Sequence, residues 1–261
     1  MWKPFAAAAL LFLSAPARAG VVMEMEQGAG GRSTIALDGD RLRVDVPARE
    51  ETTIFDGGAR VVYQINGAKK VYQRLDEASA RATGGQLRSA MAQAAARLPP
   101  ELRAKLEAET APAAAPAAGS PEDWTFQANG ERKTIAGYRC EGYRLLRRGV
   151  VQSVGCFIPW STGVVTHADM RPLRDMARLM EQVLAAMVGG SGMAAAPRRQ
   201  LDAVMSRIDK GPGVPAEIER VDADGSRHLE SRLLSVKREP VPSSRFELPA
   251  GLTRVDPFGG R

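Results

Sequence analysis

Cys140 and Cys156 are the chain's two cysteines, and thiols are the most reactive side chains it carries. Both fall in alternating runs, Tyr138 to Leu146 and Val150 to Ile158, that read as neighbouring strands. A three-residue loop, Arg147-Arg148-Gly149, with glycine in the left-handed position, would set the two thiols roughly opposite each other. In an oxidising compartment that geometry forms a disulfide. Closing a loop of this size stabilises a fold by about 3 kcal/mol in the chain-entropy model, less any strain. The alternative is a redox-active pair, but the Cys-x-x-Cys spacing that tunes a thiol is missing, so the bond reads as structural.

No other set of residues converges on a reaction. His167 and His228 are the two histidines. They lie far apart, without clustered carboxylates, so neither a metal site nor histidine-based catalysis is expected. Gly189-Gly190-Ser191-Gly192-Met193 lacks the second glycine of a nucleophile elbow and the strand before it. Gly28-Ala29-Gly30-Gly31-Arg32-Ser33 misses the dinucleotide fingerprint and joins two strands, not a strand and a helix. Asp38 and Asp40 flank a glycine, but no further acids follow at calcium-loop spacing. No catalytic residue, cofactor or metal is therefore assigned, and the chain reads as a protein that is not an enzyme.

The methionines are more suggestive. Met170, Met176, Met180 and Met187 fall in or beside one helical run, Pro172 to Val188, whose apolar face also holds Leu173, Ala177, Val183 and Leu184. Thioether side chains adapt to irregular apolar partners, so Met176, Met180, Leu184 and Met187 are candidates to line a site for a lipid, an acyl chain or an apolar peptide. A stripe of this spacing also serves plain core packing. Copper(I) ligation is a third alternative, weaker because even one-face spacing is what packing alone produces.

The elements that would position these residues come in blocks. Val21 to Gln27, Arg32 to Leu37, Arg41 to Val46, Thr52 to Phe55, Arg60 to Ile65 and Lys69 to Arg74 alternate apolar and polar between turn signals, as in an antiparallel meander. Asp38-Gly39-Asp40, Asp56-Gly57-Gly58 and Asn66-Gly67 tolerate the positive φ of tight turns. From Gly85 to Glu109 the composition favours two short helices broken at Pro99-Pro100. The Ala/Pro-rich stretch 110–121 reads as a linker or surface loop. Strands resume at Trp124 to Gln127 and Lys133 to Ile135. After the cysteine strands and the Met-rich helix, a short amphipathic helix is expected at Leu201 to Ile208. A hairpin, Val214 to Val221 with His228 to Lys237, and a segment from Phe246 to Leu252 close the chain.

Lys3, the apolar run Phe5 to Leu13, Pro16 and Ala17-Arg18-Ala19 form a signal-peptide pattern cut near Ala19-Gly20. The run is too short to be a membrane anchor, which needs roughly 20 apolar residues. The expected location is the periplasm or the medium. Net charge is +6, but the cations are interspersed with acids and rings are few, which excludes a nucleic-acid surface.

Several phrases resemble one family. Leu42-Arg43-Val44-Asp45, Ile54-Phe55-Asp56, Lys70-Val71-Tyr72, Ile135-Ala136-Gly137-Tyr138-Arg139-Cys140, Trp160 and Phe246-Glu247-Leu248-Pro249-Ala250-Gly251 look like the exported bacterial domain of unknown function 4412. That family is similar in strand order to the LolA-like lipoprotein-carrier superfamily. The resemblance implies an α+β fold, a curved antiparallel sheet forming an incomplete, half-open barrel, with helices over its concave face and an open apolar hollow. It carries over no catalytic residue. The expected organisation is a signal peptide, 1–19, and one domain, 20–261, with helical insertions at about 85–109 and 172–209. The expected role is non-enzymatic binding of an apolar ligand in the hollow. The alternative is an envelope assembly module that docks a protein partner, and a hydrolase stands third.

Overall fold

The computed structural model describes residues 19–99, 101–102, 124–188 and 210–256. The expected signal peptide, the Ala/Pro-rich stretch 110–121 and the helix at Leu201 to Ile208 lie outside these residues.

The first meander forms as the alternation predicts: β1 (Gly20–Gln27), β2 (Gly31–Asp38), β3 (Arg41–Val46), β4 (Glu51–Asp56), β5 (Val61–Asn66) and β6 (Val71–Leu75). Its register aligns one apolar row, in which Leu75 faces Val62, Val62 faces Phe55, Phe55 faces Leu42, Leu42 faces Leu37 and Leu37 faces Val21. All six are buried, so a one-residue slip anywhere would turn this row to solvent. The loops after β4 and β5 share one design. Asp56 and Asn66 each accept, through Oδ1, the backbone N–H three residues on, at 2.9 Å in both cases. Each loop then returns through a left-handed residue, Arg60 or Lys70.

Helix α1 runs Glu77–Ala96, beginning eight residues before the expected Gly85. Asp76 is the reason: its Oδ1 accepts the Ser79 N–H at 2.7 Å, and Arg74 fixes its other oxygen, an N-cap that starts the helix directly after β6. Gly84 and Gly85 then sit inside the helix, a tolerable cost of about 1 kcal/mol each.

The second meander is β7 (Trp124–Ile135), β8 (Tyr138–Arg147), β9 (Val150–Pro159), β10 (Gly213–Val221) and β11 (Arg227–Glu239), with α2 (Arg171–Val188) between β9 and β10. The two short runs expected at Trp124 to Gln127 and Lys133 to Ile135 are one strand, carried through a bulge at Asn129 to Glu131. The loop after β8 is also shorter than expected. Arg148 and Gly149 alone make the turn, both at positive φ, and Arg147 ends the strand. This is the two-residue hairpin geometry that matches strand twist.

Strand β1 pairs with β2 on one side and β11 on the other, which merges the two meanders, with a short last strand β12 (Thr253–Arg254), into one 12-stranded sheet ordered β12-β6-β5-β4-β3-β2-β1-β11-β10-β9-β8-β7. The sheet is curved and does not close, giving an α+β fold with an open sheet. After β11 the chain crosses the sheet, and Phe246 packs with Val22, Ala36, Ile54 and Ile65 in a second apolar cluster. Strand β12 then adds parallel to β6, and the expected Phe246 to Leu252 segment is a strap that leads into it. No helix among the described residues is long and apolar enough to cross a membrane.

Candidate functional site

The turn that leads into α2 is closed by a reciprocal pair of hydrogen bonds. Thr166 N–H donates to Asp169 Oδ2 at 2.7 Å, and Asp169 N–H donates to Thr166 Oγ1 at 3.3 Å. Arg238 of β11 also binds the Asp169 carboxylate, tying the start of the helix to the sheet. Burial pushes the Asp169 pKa up, but the hydrogen bonds from Arg238 and Thr166 outweigh it and hold the carboxyl below its ordinary value.

Beyond this turn, the apolar face of α2 joins the largest cluster of the fold. Leu179 and Val183 are buried in it, while Leu173, Met176, Met180 and Ala186 are partly buried against it, and Ala177 is buried as well. Of the expected ligand-lining set, Met176 and Met180 thus lie together on this face and Leu184 is half-buried beside it. The Met187 side chain lies outside the described residues. The sequence reading missed Leu179, which is only 3% exposed. Its place three residues after Met176 and four before Val183 was the available signal. Helix α1 packs along α2, and Arg60 reaches from the β4–β5 loop to Gln182 Oε1 at 2.8 Å. The cleft beside α2, about 240 Å³, is lined by Phe55, Arg60, Asp175, Arg178, Leu179 and Gln182, not by the methionines.

The cysteines are joined, with Cα atoms 5.4 Å apart. They are not directly opposite: Cys156 faces Gly142, two residues along β8 from Cys140. Their shared face depends on one extra residue. Near the turn Leu146 faces Val151, whereas further on Leu145 faces Ser153, leaving Gln152 as an unpaired bulge. Were Gln152 instead paired with Leu145 in regular register, Cys156 would face Glu141, and its side chain would point away from Cys140.

Beside the disulfide sits a buried carboxylate. Glu217, 5% exposed, faces Cys156 on β9 and Arg232 on β11, and Lys133 faces Cys140. Lys133 Nζ donates to Glu217 Oε1 at 2.6 Å, and Arg232 Nε donates to Oε2 at 2.8 Å. Burial raises the Glu217 pKa, yet these two cations more than offset it and the group is held ionised. The bond to Glu217 likewise raises the Lys133 pKa. The cluster fastens β7, β10 and β11 together and presents no unshared acid or base.

The histidines remain apart. His167 lies over Trp160 with ring centroids 4.1 Å apart. His228 Nε2 is 3.1 Å from Asp222 and 3.3 Å from Ser226 Oγ. The Ser226 hydroxyl donates to Asp224 Oδ1 at 2.7 Å, so its proton is not directed at the imidazole and the trio does not form a nucleophile-base pair. Among the described residues no three His, Cys, Asp or Glu side chains group as metal ligands.

No family model and no curated protein matches this chain. One solved structure that it resembles is an uncharacterized conserved protein from Thermus thermophilus. The two are 7% identical, the alignment covers 91% of this chain and 90% of that one, and the TM-score is 0.42.

Proposed function

We propose that this is an exported, non-enzymatic binding protein of the LolA-like type, which holds a lipid, acyl chain or apolar peptide between the concave side of its open sheet and the Met-rich face of α2. The observation that carries this reading is the half-burial of Met176 and Met180. They sit on a helix that is otherwise seated in the main apolar cluster, where a deformable thioether can exchange contacts with the protein for contacts with a ligand. The turn at Thr166 and Asp169 gives α2 a fixed end about which such an exchange could occur. The disulfide supports the exported location.

Native mass spectrometry of protein purified gently from a periplasm, followed by organic extraction, tests the proposal. A stoichiometric acyl species, lost when Met180→Glu and Leu184→Glu are introduced together, is the expected result. A bare polypeptide mass under every detergent-free condition overturns it. One observation favours a second reading, docking of a protein partner. Strand β7 ends the sheet order, and its outer edge pairs with no strand among the described residues, so its backbone groups are placed for strand addition.

A further inference from the structure

We propose a second binding site, for an uncharged saccharide, in the cleft where the ends of β9, β10 and β11 meet the start of β7. The cleft has a volume of about 450 Å³, within the range of small-molecule sites. Its floor is a single cross-strand row. Ser153 on β9 faces Arg220 on β10, and Arg220 faces His228 on β11, so the three side chains share one face of the sheet.

Two further lining residues come from separate β-bulges. Gln152 is the unpaired residue of the β8–β9 ladder. In the β10–β11 ladder, Ile218 faces Ser231 and Glu219 faces Leu229, leaving Glu230 as the extra residue. Bulges re-aim side chains, and here two of them, in different strand pairs, deliver a carboxamide and a carboxylate to the same cleft. Trp124, from the third apolar cluster, forms a wall. Gly28 brings the β1–β2 turn against the opening. A Cβ there would meet the Leu229 carbonyl oxygen at 2.6 Å, so no larger residue permits that approach.

The chemistry of the lining selects the class of ligand. Arg220 Nε already donates to Asp222 Oδ1 at 3.0 Å, and His228 lies against the other oxygen of the same carboxylate. The Arg220 guanidinium is therefore already paired with a carboxylate, and Glu230 brings a second carboxylate to the lining, which gives an anion little advantage over a neutral molecule. What the cleft offers is hydrogen-bonding groups on Gln152, Arg220 and His228 beside the edge of a largely buried indole. Each sugar hydroxyl both donates and accepts, and the C–H surface of a pyranose fits an aromatic wall. The site is independent of the apolar face of α2.

Saturation-transfer NMR on the mature protein, with maltose, cellobiose and N,N′-diacetylchitobiose at millimolar concentration, is the test. Saturation transfer to at least one of them, with affinity weakened tenfold or more in Gln152→Ala and in His228→Ala, is expected. The His228 variant sits in the exposed hairpin and keeps the test valid if loss of the bulge residue impairs folding. No transfer to any of the three sugars overturns the proposal. So does transfer that both variants leave unchanged, or tighter binding of glucose 6-phosphate than of every neutral sugar.

Discussion

Reducing the Cys140–Cys156 bond should destabilise the protein by an amount set almost wholly by the loop it closes. The cysteines are 16 residues apart, and the chain-entropy relation then gives about 3 kcal/mol. For a domain of this size that corresponds to a fall in Tm of roughly 6–12 °C. The hairpin itself brings the partner strands together, so little of this should reappear as lost native contacts. Both sulfurs are buried, with the cysteines 1% and 3% exposed, and reduction leaves them in place as small apolar groups. Urea melts of oxidised and dithiothreitol-treated wild type, monitored by tryptophan fluorescence, measure the difference directly. Reduction avoids the cavity that Cys→Ala substitution would add. A reduced protein within 0.5 kcal/mol of the oxidised one, a bound set against the ~3 kcal/mol expectation, would refute the reasoning. It would mean that the β8–β9 hairpin persists in the denatured chain and leaves the bond no freedom to remove.

Acid sensitivity should trace to the start of α2. The Asp169 carboxyl is held below its ordinary pKa of 3.8. Its contribution is therefore present at neutral pH and is lost as pH falls from that value through the lower, folded one. Urea midpoints measured from pH 7 to pH 2 should show a shallower acid limb in Arg238→Ala than in wild type, and parallel limbs would exclude the pair as a cause. Removing the strap's anchor, Phe246→Ala, should cost about 3–5 kcal/mol if the strap unfolds with the rest. If it detaches alone, hydrogen exchange at Thr253 and Val255, whose N–H groups bind Lys70 and Tyr72, should accelerate while β3 and β4 stay protected.

The meanders were legible because each strand carries its own alternation and each turn its own Gly, Asn or Asp. Leu42, Val44 and Val46 declare a face whatever the rest of the chain does. The seam was not legible. Val22 faces Lys237 across more than 200 residues of sequence, and no local pattern says that β1 has a second partner. The start of α1 was missed because Gly84-Gly85 reads as a break, whereas the cap at Asp76 and packing along α2 outweigh two unfavourable residues. At α2 the periodicity gave the helix and its apolar face. Leu179 went unmarked among the more conspicuous methionines, although it is the deeper residue. The polar cleft had no sequence signature, since Gln152 and Glu230 lie in runs that look like unbroken strand.

Bulges account for two features that local pattern does not show, the polar cleft and the diagonal placement of the cysteines. Alternation predicts which face a residue shares only until an extra residue enters one strand, after which every later parity inverts relative to the partner. Gln152 shows two consequences of one such insertion. Toward the C-terminal end of β9 it brings Cys156 onto the face of Cys140, and therefore beside Glu217 and its two cations. At its own position it is left without a ladder partner and lines the cleft with Ser153 and Trp124. The disulfide and the cleft are thus set by the same local irregularity. A change there would disturb cross-link and cleft together, and through Cys140 and Cys156, which share the main apolar cluster with Leu179 and Val183, it would also reach the packing of α2.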